Sequence, residues 1–116
     1  MKQKNANRKL NEQARQMLSD ILLYDTADPR LTLVTITSCE VSFDRSVCNV
    51  YYSTDPERYA EVAEAFRAAS GHIRSTMAGQ LSWRIAPELR FMLDESVDEA
   101  ERIARVLESD AMRNRR

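Results

Sequence analysis

The longest helical pattern in the chain begins at Asp55-Pro56, where aspartate is a typical N-cap and proline suits the first helical position. The apolar residues that follow at helical spacing are Tyr59, Val62, Ala63, Phe66, Ile73, Met77 and Leu81. Phe66 and Ile73 lie about two helical turns apart, so the spacing continues through Gly71, although glycine costs about 1 kcal/mol relative to alanine inside a helix. Because an ordinary loop would break this spacing, we predict two helices that meet at a kink formed by Ala69-Ser70-Gly71.

A further helix and a pair of strands precede this pattern. Apolar residues at helical spacing predict a helix over about Asn7–Tyr24, which ends before Pro29. Residues rich in Thr, Val and Ile predict a strand over Leu31–Ser42, and a similar run predicts another over Val47–Thr54. Since the residues Phe43–Ser46 between them suit a turn, we expect an antiparallel hairpin.

Two shorter elements follow the long helical pattern. Alternating apolar residues, with Leu89 and Phe91 on one side, predict a third strand over Glu88–Leu93. Ser96–Glu99 has the pattern of a capping box and predicts a C-terminal helix. The stripe of that helix expected to be buried is Val97, Ala100, Ile103, Ala104 and Leu107.

The size and composition of the chain fit one ordinary globular domain, with 116 residues, 43% of them hydrophobic and 30% charged. The order helix, strand, strand, kinked helix pair, strand, helix predicts the α+β class. We expect the domain to span 7–109, with a flexible N-terminus at 1–6 and a basic tail at 110–116. Because no apolar run approaches the about 18 residues of a membrane span, and the first residues lack the apolar region of a signal peptide, we expect a cytoplasmic protein with no membrane partner.

Charge is unevenly distributed along the chain. The net charge is −1, so the whole molecule has no electrostatic signature of nucleic-acid binding. Basic residues nevertheless outnumber acidic ones in 1–18 and in 67–90, whereas acidic residues dominate 94–110. This segregation allows a basic face and an acidic face on one small domain. Solvated helix faces without a binding role are the alternative that charge alone leaves open.

The sequence contains no recognisable motif for catalysis or metal binding. His72 is the single histidine and has no motif partner, and the chain contains no phosphate-binding glycine loop or nucleotide fingerprint. Cys39 and Cys48 flank the predicted turn, and we expect reduced thiols rather than a disulfide. With no second cysteine pair, a zinc site is not expected. We therefore expect no enzyme activity, no metal and no cofactor; a small redox or metal protein has almost no support.

The order of elements resembles a KH domain of the second type, which normally clamps an RNA backbone with a GXXG loop between two helices. The corresponding place reads Gly71-His72-Ile73-Arg74 and lacks the second glycine. The chain is also similar to the ribosome-binding factor A family over about residues 7–107. The segments that match that family, in its order, are Asp28-Pro29-Arg30-Leu31, Ala69-Ser70-Gly71-His72-Ile73-Arg74-Ser75, Pro87-Glu88-Leu89-Arg90-Phe91, Asp94-Glu95-Ser96 and Arg102-Ile103.

The resemblance implies a KH-like, type II α+β domain, a three-stranded sheet with its helices on one face. In that family an Ala-x-Gly kink replaces the GXXG loop, and Ala69-Ser70-Gly71 matches it. The implied function is non-enzymatic: binding the immature small ribosomal subunit of bacteria, assisting its late maturation and the 5′-end processing of its rRNA. Other implied neighbours are assembly factors such as GTPases or methyltransferases, and nothing calls for more than a monomer. A protein-interaction module that acts through its acidic C-terminal helix without RNA contact is the alternative.

The resemblance and the charge pattern together predict the RNA-binding residues. They are Ala69, Ser70, Gly71, His72, Arg74, Ser75, Arg84, Arg90, Arg8, Lys9 and Arg30. Arg74 and Arg84 are the foremost candidates for phosphate contacts, because lysine and arginine supply such contacts. For Gly71 a purely structural kink remains open, and Trp83 suits either the core or stacking on a base. Asp94 and Ser96 are explained by helix capping.

Overall fold

One three-stranded sheet organises the molecule, in the order β1 (Thr35–Val41), β2 (Val47–Ser53), β3 (Glu88–Leu93). The computed structural model describes residues 8–83, 85–96, 103–104 and 107. β1 and β2 are antiparallel, as predicted for the hairpin, and β3 runs parallel to β2. The pairing places Val50 beside Cys39 and Phe91, so the apolar residues of all three strands share one face.

Two helices cover that apolar face. α1 spans Arg8–Tyr24 and α2 spans Tyr59–Gln80, and short 3-10 turns precede β1 at Pro29–Leu31 and α2 at Pro56–Arg58. Their buried side chains join those of the strands in a single core of Ala14, Leu18, Ile21, Leu31, Ile36, Cys39, Val41, Cys48, Val50, Tyr52, Val62, Ala65, Phe66, Ile73 and Met77. The predicted α+β class, with helices on one face of a three-stranded sheet, is therefore confirmed.

Phe66 joins α2 to the sheet. Its ring stacks on Phe91 of β3 with centroids 4.3 Å apart and an interplanar angle of 13°. On the β2 side it meets Tyr52 at 4.7 Å in a tilted arrangement. Because aromatic pairs at such distances add attraction beyond the area that they bury, Phe66 fixes α2 over the junction of β2 and β3.

The chain reversals gather at two ends of the molecule. At the hairpin end lie the turn 42–46, the segment 81–87 except residue 84, and the start of α1. Two hydrogen bonds join these pieces: Val41 N–H donates to Asn11 Oδ1 at 2.8 Å, and Glu88 N–H donates to Ser46 O at 2.9 Å. At the opposite end, the Arg58 guanidinium donates to the carbonyl oxygens of Arg30 and Thr32 at 2.7 and 2.8 Å.

The predicted division of the long helical pattern into two helices at Gly71 is wrong. α2 is one α-helix from Tyr59 to Gln80, and no loop interrupts it. Val62, Phe66, Ile73 and Met77 are all buried along it, so packing on both sides of Gly71 outweighs the low helix propensity of glycine. Gly71 has no positive φ, and beyond its chain neighbours and the surrounding helix backbone, a Cβ built on it meets no atom within 4 Å. The helix itself therefore gives no reason for a glycine at this position.

The first strand begins later than predicted. The sequence pattern predicts a start at Leu31, whereas β1 begins at Thr35. Leu31 instead closes the 3-10 turn, where the Asp28 carboxylate accepts a hydrogen bond from Arg30 N–H at 2.9 Å. Leu33 has a φ of 61°, which is incompatible with an extended strand.

The C-terminal helix lies mostly outside the described residues, as do both predicted boundaries of the domain, at residues 7 and 109. The residues described there, 95–96, 103–104 and 107, are helical. Ile103 and Leu107 are 54% and 63% exposed, so their predicted burial is wrong. The apolar face of the sheet is already covered by α1 and α2. The Asp94 carboxylate accepts hydrogen bonds from the backbone N–H and the hydroxyl of Ser96, so Asp94 caps this helix as predicted. Ser96 is itself helical, so the predicted capping box that starts at Ser96 is wrong.

Cys39 and Cys48 are buried free thiols on neighbouring strands, as predicted. A hydrogen bond with the Cys48 thiol, together with burial, raises the pKa of Cys39 well above its ordinary value of 9.0. Both thiols therefore belong to the packed core.

Gly71→Ala should stabilise the protein. The added methyl group meets no neighbour, and alanine has the better helix propensity, so the free energy of unfolding should rise by up to about 1 kcal/mol. Ala68→Gly, at an exposed position of the same helix, should lower it by a similar amount. Denaturant unfolding measures both changes. A loss of stability in Gly71→Ala would mean that this position needs a bend.

Stability should fall as the pH rises above about 9, in part because of Cys39. In the unfolded chain this thiol ionises near its ordinary pKa of 9.0, whereas in the folded protein its raised pKa keeps it protonated. The folded state then binds more protons, so rising pH favours unfolding. Comparing the pH slope of unfolding free energy with that of Cys39→Ala tests this assignment. Equal slopes above pH 9 would contradict it.

Candidate nucleic-acid interface

A groove between α2 and β3 contains part of the predicted site. It has a volume of about 300 Å3 and is lined by Tyr52, Ala63, Phe66, Arg67, Ser70, Leu89 and Phe91. Ala63, Arg67 and Ser70 are spaced by four and three residues, so they lie on one side of the helix. Arg74 continues this row one turn later. The floor of the groove is aromatic and apolar, and its helical wall carries hydroxyl and guanidinium groups.

The polar groups of this wall are partly engaged and largely open to solvent. Ser70 Oγ donates to Arg67 O at 3.3 Å. The exposed guanidinium of Arg67 pairs with Glu64 at 2.9 Å, an i, i+3 pair of the kind that solvent screens strongly. Arg74 Nη2 donates to Ala86 O at 3.0 Å, which joins α2 to the segment that leads into β3. Each guanidinium keeps further N–H donors for an anionic ligand.

The remaining predicted residues of α2 lie on other sides of the helix. Gly71 and Ser75 form an exposed ridge beside the groove. His72 Nε2 lies 3.0 Å from Asp25 O, so this side chain links α2 to the end of α1. Ala69 is half-buried against the core. The predicted segment therefore contains a groove wall, a ridge and two residues with structural roles.

Two predicted residues, Arg30 and Arg90, lie away from this groove. Arg30 is at the opposite end, where its guanidinium binds the Asp28 carboxylate at 2.7 Å and holds the pKa of that carboxyl below its usual range. Arg90 is on the uncovered face of the sheet, because it pairs in register with Asn49 and forms an exposed ion pair with Glu88 at 3.1 Å. Arg84 lies outside the described residues.

Arg8 and Lys9 are exposed at the start of α1, at the hairpin end. Arg8 borders a second groove, of about 400 Å3, between α1 and the edge of β1. The other residues lining that groove are Asn11, Glu12, Arg15, Thr37, Ser38 and Cys39. The Glu12 carboxylate is ion-paired with Arg15, which lowers the pKa of Glu12, so this groove is closer to neutral than its two arginines suggest.

Arg67 is the basic residue of the groove that the sequence prediction missed. It lies three residues before Ser70, so helical spacing alone places both on one side of α2. The signal was present, but the expected kink at Ala69-Ser70-Gly71 separated Arg67 from the residues after it. A continuous helix restores the row from Arg67 to Arg74.

Metal sites and membrane-spanning helices are both absent from the described part of the chain. Across 8–83 and 85–96, and at 103–104 and 107, no group of three or more histidine, cysteine or carboxylate side chains is placed to hold a metal ion. Among those same residues, none of the helices has both the length and the apolar character needed to cross a membrane.

Comparison with known proteins agrees with this architecture. The family model for ribosome-binding factor A matches residues 6–107. The ribosome-binding factor A of Shewanella sediminis is 38% identical over 110 residues, covering 89% of this chain and 77% of the relative. The crystal structure of ribosome-binding factor A from Thermus thermophilus has a TM-score of 0.66 at 26% identity and covers 75% of this chain and 93% of its own.

A third match concerns the fold alone. It is a homology model of the Thermus thermophilus ribosome-binding factor A, fitted into a cryo-EM map of a 30S complex with that protein. Its TM-score is 0.59 at 24% identity, over 73% of this chain and 91% of the other.

Proposed function

Because this chain belongs to the ribosome-binding factor A family, we propose that it is a non-enzymatic assembly factor that binds the immature small ribosomal subunit. In this proposal it acts as a monomer in the bacterial cytoplasm, during late maturation of the subunit and the 5′-end processing of its rRNA. Other assembly factors are expected on the same particle. Support for the partner comes from the Thermus thermophilus relative, which has been fitted into a map of its 30S complex.

The observation that carries the RNA contact is the groove between α2 and β3. It presents an aromatic floor and a wall with Arg67 and Ser70, followed by Arg74. Apolar and aromatic surfaces accept the faces of unpaired bases, while guanidinium groups bind phosphate. The groove therefore suits a short single-stranded stretch of rRNA, with its backbone along α2 and its bases toward β3.

The exposed ridge fits the same proposal. Gly71 lies beside the groove wall, and no atom beyond its chain neighbours and the surrounding helix backbone comes within 4 Å of a Cβ built on it. Since the fold has no steric need for glycine there, a ligand backbone that approaches α2 closely is the remaining physical reason for it. In this proposal Gly71 and Ser75 face the rRNA backbone from above the groove. Arg8 and Lys9 form a separate basic contact at the hairpin end, beside the edge of β1.

The low net charge sets the expected mode of binding. At a net charge of −1 the chain gains little from long-range attraction to RNA, so affinity for naked RNA should be weak. A folded subunit offers several contacts at fixed positions, which suits a small protein with local basic patches.

Arg67→Glu should weaken association with the small subunit, whereas Arg90→Glu should not. The two arginines are matched, since each is exposed and paired with a nearby glutamate, at 2.9 and 3.1 Å. They differ in position, since Arg67 lies on the groove wall and Arg90 lies on the uncovered face of the sheet. Arg67→Glu/Arg74→Glu should lower affinity at least about tenfold and reduce the salt dependence by about two phosphate contacts.

Co-sedimentation with free small subunits at several salt concentrations measures these effects. Thermal melts control for folding, because exposed ion pairs contribute little to stability. If the double variant binds like the wild type while folded, the groove is not the RNA-binding surface. If no variant affects binding, the acidic C-terminal segment becomes the better candidate.

A further inference from the structure

The hairpin end carries an exposed aromatic patch that the groove does not include. Arg45, in the β1–β2 turn, places its guanidinium carbon 5.7 Å from the centroid of the Trp83 ring. Phe43 in the same turn is 74% exposed, and Ile85, two residues after Trp83, is 67% exposed. We call Phe43, Arg45, Trp83 and Ile85 the hairpin patch. We propose that the hairpin patch binds an unpaired RNA base by stacking, as a second contact beyond the groove between α2 and β3.

Trp83 and Arg45 form a layered surface. Trp83 is half-buried and packs against the core on one side, while Arg45 covers its ring. Arg45 makes no ion pair in the part of the chain that the structure describes, so its guanidinium plane is not held by a carboxylate. Guanidinium planes and aromatic rings are the two protein surfaces on which RNA bases stack most often. The patch therefore offers a preformed stacking surface with a positive charge.

Arg45 has a backbone conformation that is unfavourable for an arginine but places its guanidinium over Trp83. Arg45 has a φ of 62°, in the left-handed region where glycine is favoured and a long side chain is uncommon. A hydrogen bond from Arg45 N–H to Ser42 O, at 2.9 Å, closes the turn. Folding alone would be served at least as well by glycine. An arginine at this position instead directs a guanidinium onto Trp83.

The charge around the patch suits an anionic partner such as RNA. The one acidic residue of the turn, Asp44, accepts hydrogen bonds from Ser46 Oγ at 2.7 Å and from Ser42 Oγ at 2.9 Å. These bonds and the backbone N–H of Ser46 hold the pKa of Asp44 below its usual range and direct its carboxylate into the turn. Arg8 and Lys9 lie at the same end. Positive side chains thus accompany the exposed aromatics, as phosphate and base contacts require.

The patch adjoins the groove, so one RNA strand can reach both. Arg74, at the end of the groove wall, donates to Ala86 O, one residue after Ile85. Glu88, the first residue of β3, donates to Ser46 O in the turn. A strand leaving the groove past Arg74 therefore arrives at Trp83 and Arg45. This inference rests on the proposed RNA contact but involves different residues, so the two can fail separately.

The test uses the full chain and a single-stranded adenine hexaribonucleotide. Trp83 is the only tryptophan, so its fluorescence reports on the patch directly. The hexamer should alter Trp83 emission, and an RNA duplex of the same length, whose bases are already stacked, should alter it much less. Phe43→Ala and Arg45→Gly should each weaken hexamer binding roughly 5- to 100-fold, the range expected for the loss of one stacked base. Arg45→Gly should not lower the melting temperature, because glycine adopts this φ without strain.

Matched controls separate stacking from charge and from general hydrophobicity. Tyr24→Ala removes an aromatic that is 77% exposed at the opposite end and should leave binding unchanged. An abasic hexamer, which keeps the phosphates, should bind wild type and Phe43→Ala equally. The variant Arg67→Glu/Arg74→Glu should still show a change of Trp83 emission at high hexamer concentration.

Three results would overturn the inference. The first is unchanged Trp83 emission with saturating hexamer. The second is that both Phe43→Ala and Arg45→Gly bind the hexamer with wild-type affinity. In that case the proposed function still stands if the groove variants lose subunit binding. The third is self-association of the wild type that Phe43→Ala abolishes, which would make the patch a protein contact.

Discussion

The packing of Phe66 between α2 and the sheet determines most of the remaining structure. With Phe91 on one side and Tyr52 on the other, this ring holds α2 over the junction of two parallel strands. Val62, Ile73 and Met77 then bury the same side of the helix on the sheet. Removing a buried phenylalanine side chain typically costs about 3–5 kcal/mol, a large part of the stability of a small domain. The groove exists because the helix is held there, with its outer side left free.

The same packing explains why one helix replaces the predicted two. Sequence reasoning treated Gly71 as a local weakness of about 1 kcal/mol and inferred a bend. Burial of Phe66 before Gly71 and of Ile73 after it keeps the helix continuous. The free energy of this burial comes from packing on the sheet, and the local sequence pattern does not show where the sheet lies. The apolar spacing was therefore recognised correctly, but the low helix propensity of glycine was given too much weight.

Other parts of the fold were accessible from sequence because their signals are local. The antiparallel hairpin follows from two β-branched runs around Phe43–Ser46, and β3 follows from alternation at Leu89 and Phe91. The later start of β1 was not accessible, because the left-handed φ of Leu33 depends on the Asp28–Arg30 turn and its tertiary anchors. The burial predicted for Ile103 and Leu107 failed for a similar reason, since helical spacing identifies an apolar stripe but not what covers it.

The candidate site shows the same division between local and tertiary information. The sequence placed Ser70 at an expected kink and Arg74 after it, and the structure sets both in a row with Arg67 along a groove. It could not show that Arg90 lies on the other face of the sheet or that Arg30 lies at the opposite end with Asp28. Nor could it show that Arg45 and Trp83, far apart in sequence, meet at the hairpin end. Clusters formed by residues that are far apart in sequence can be recognised only once the tertiary structure is known.

The central claim is that the groove between α2 and β3 faces rRNA on the small subunit. Site-specific photo-crosslinking tests it most directly, with a photoreactive residue at Ser70, on the groove wall, or at Glu88, on the uncovered face of the sheet. Bound to small subunits, the Ser70 derivative should crosslink to rRNA, and the Glu88 derivative should do so much less. Equal crosslinking from both positions, or crosslinks from Ser70 to ribosomal proteins alone, would contradict the account.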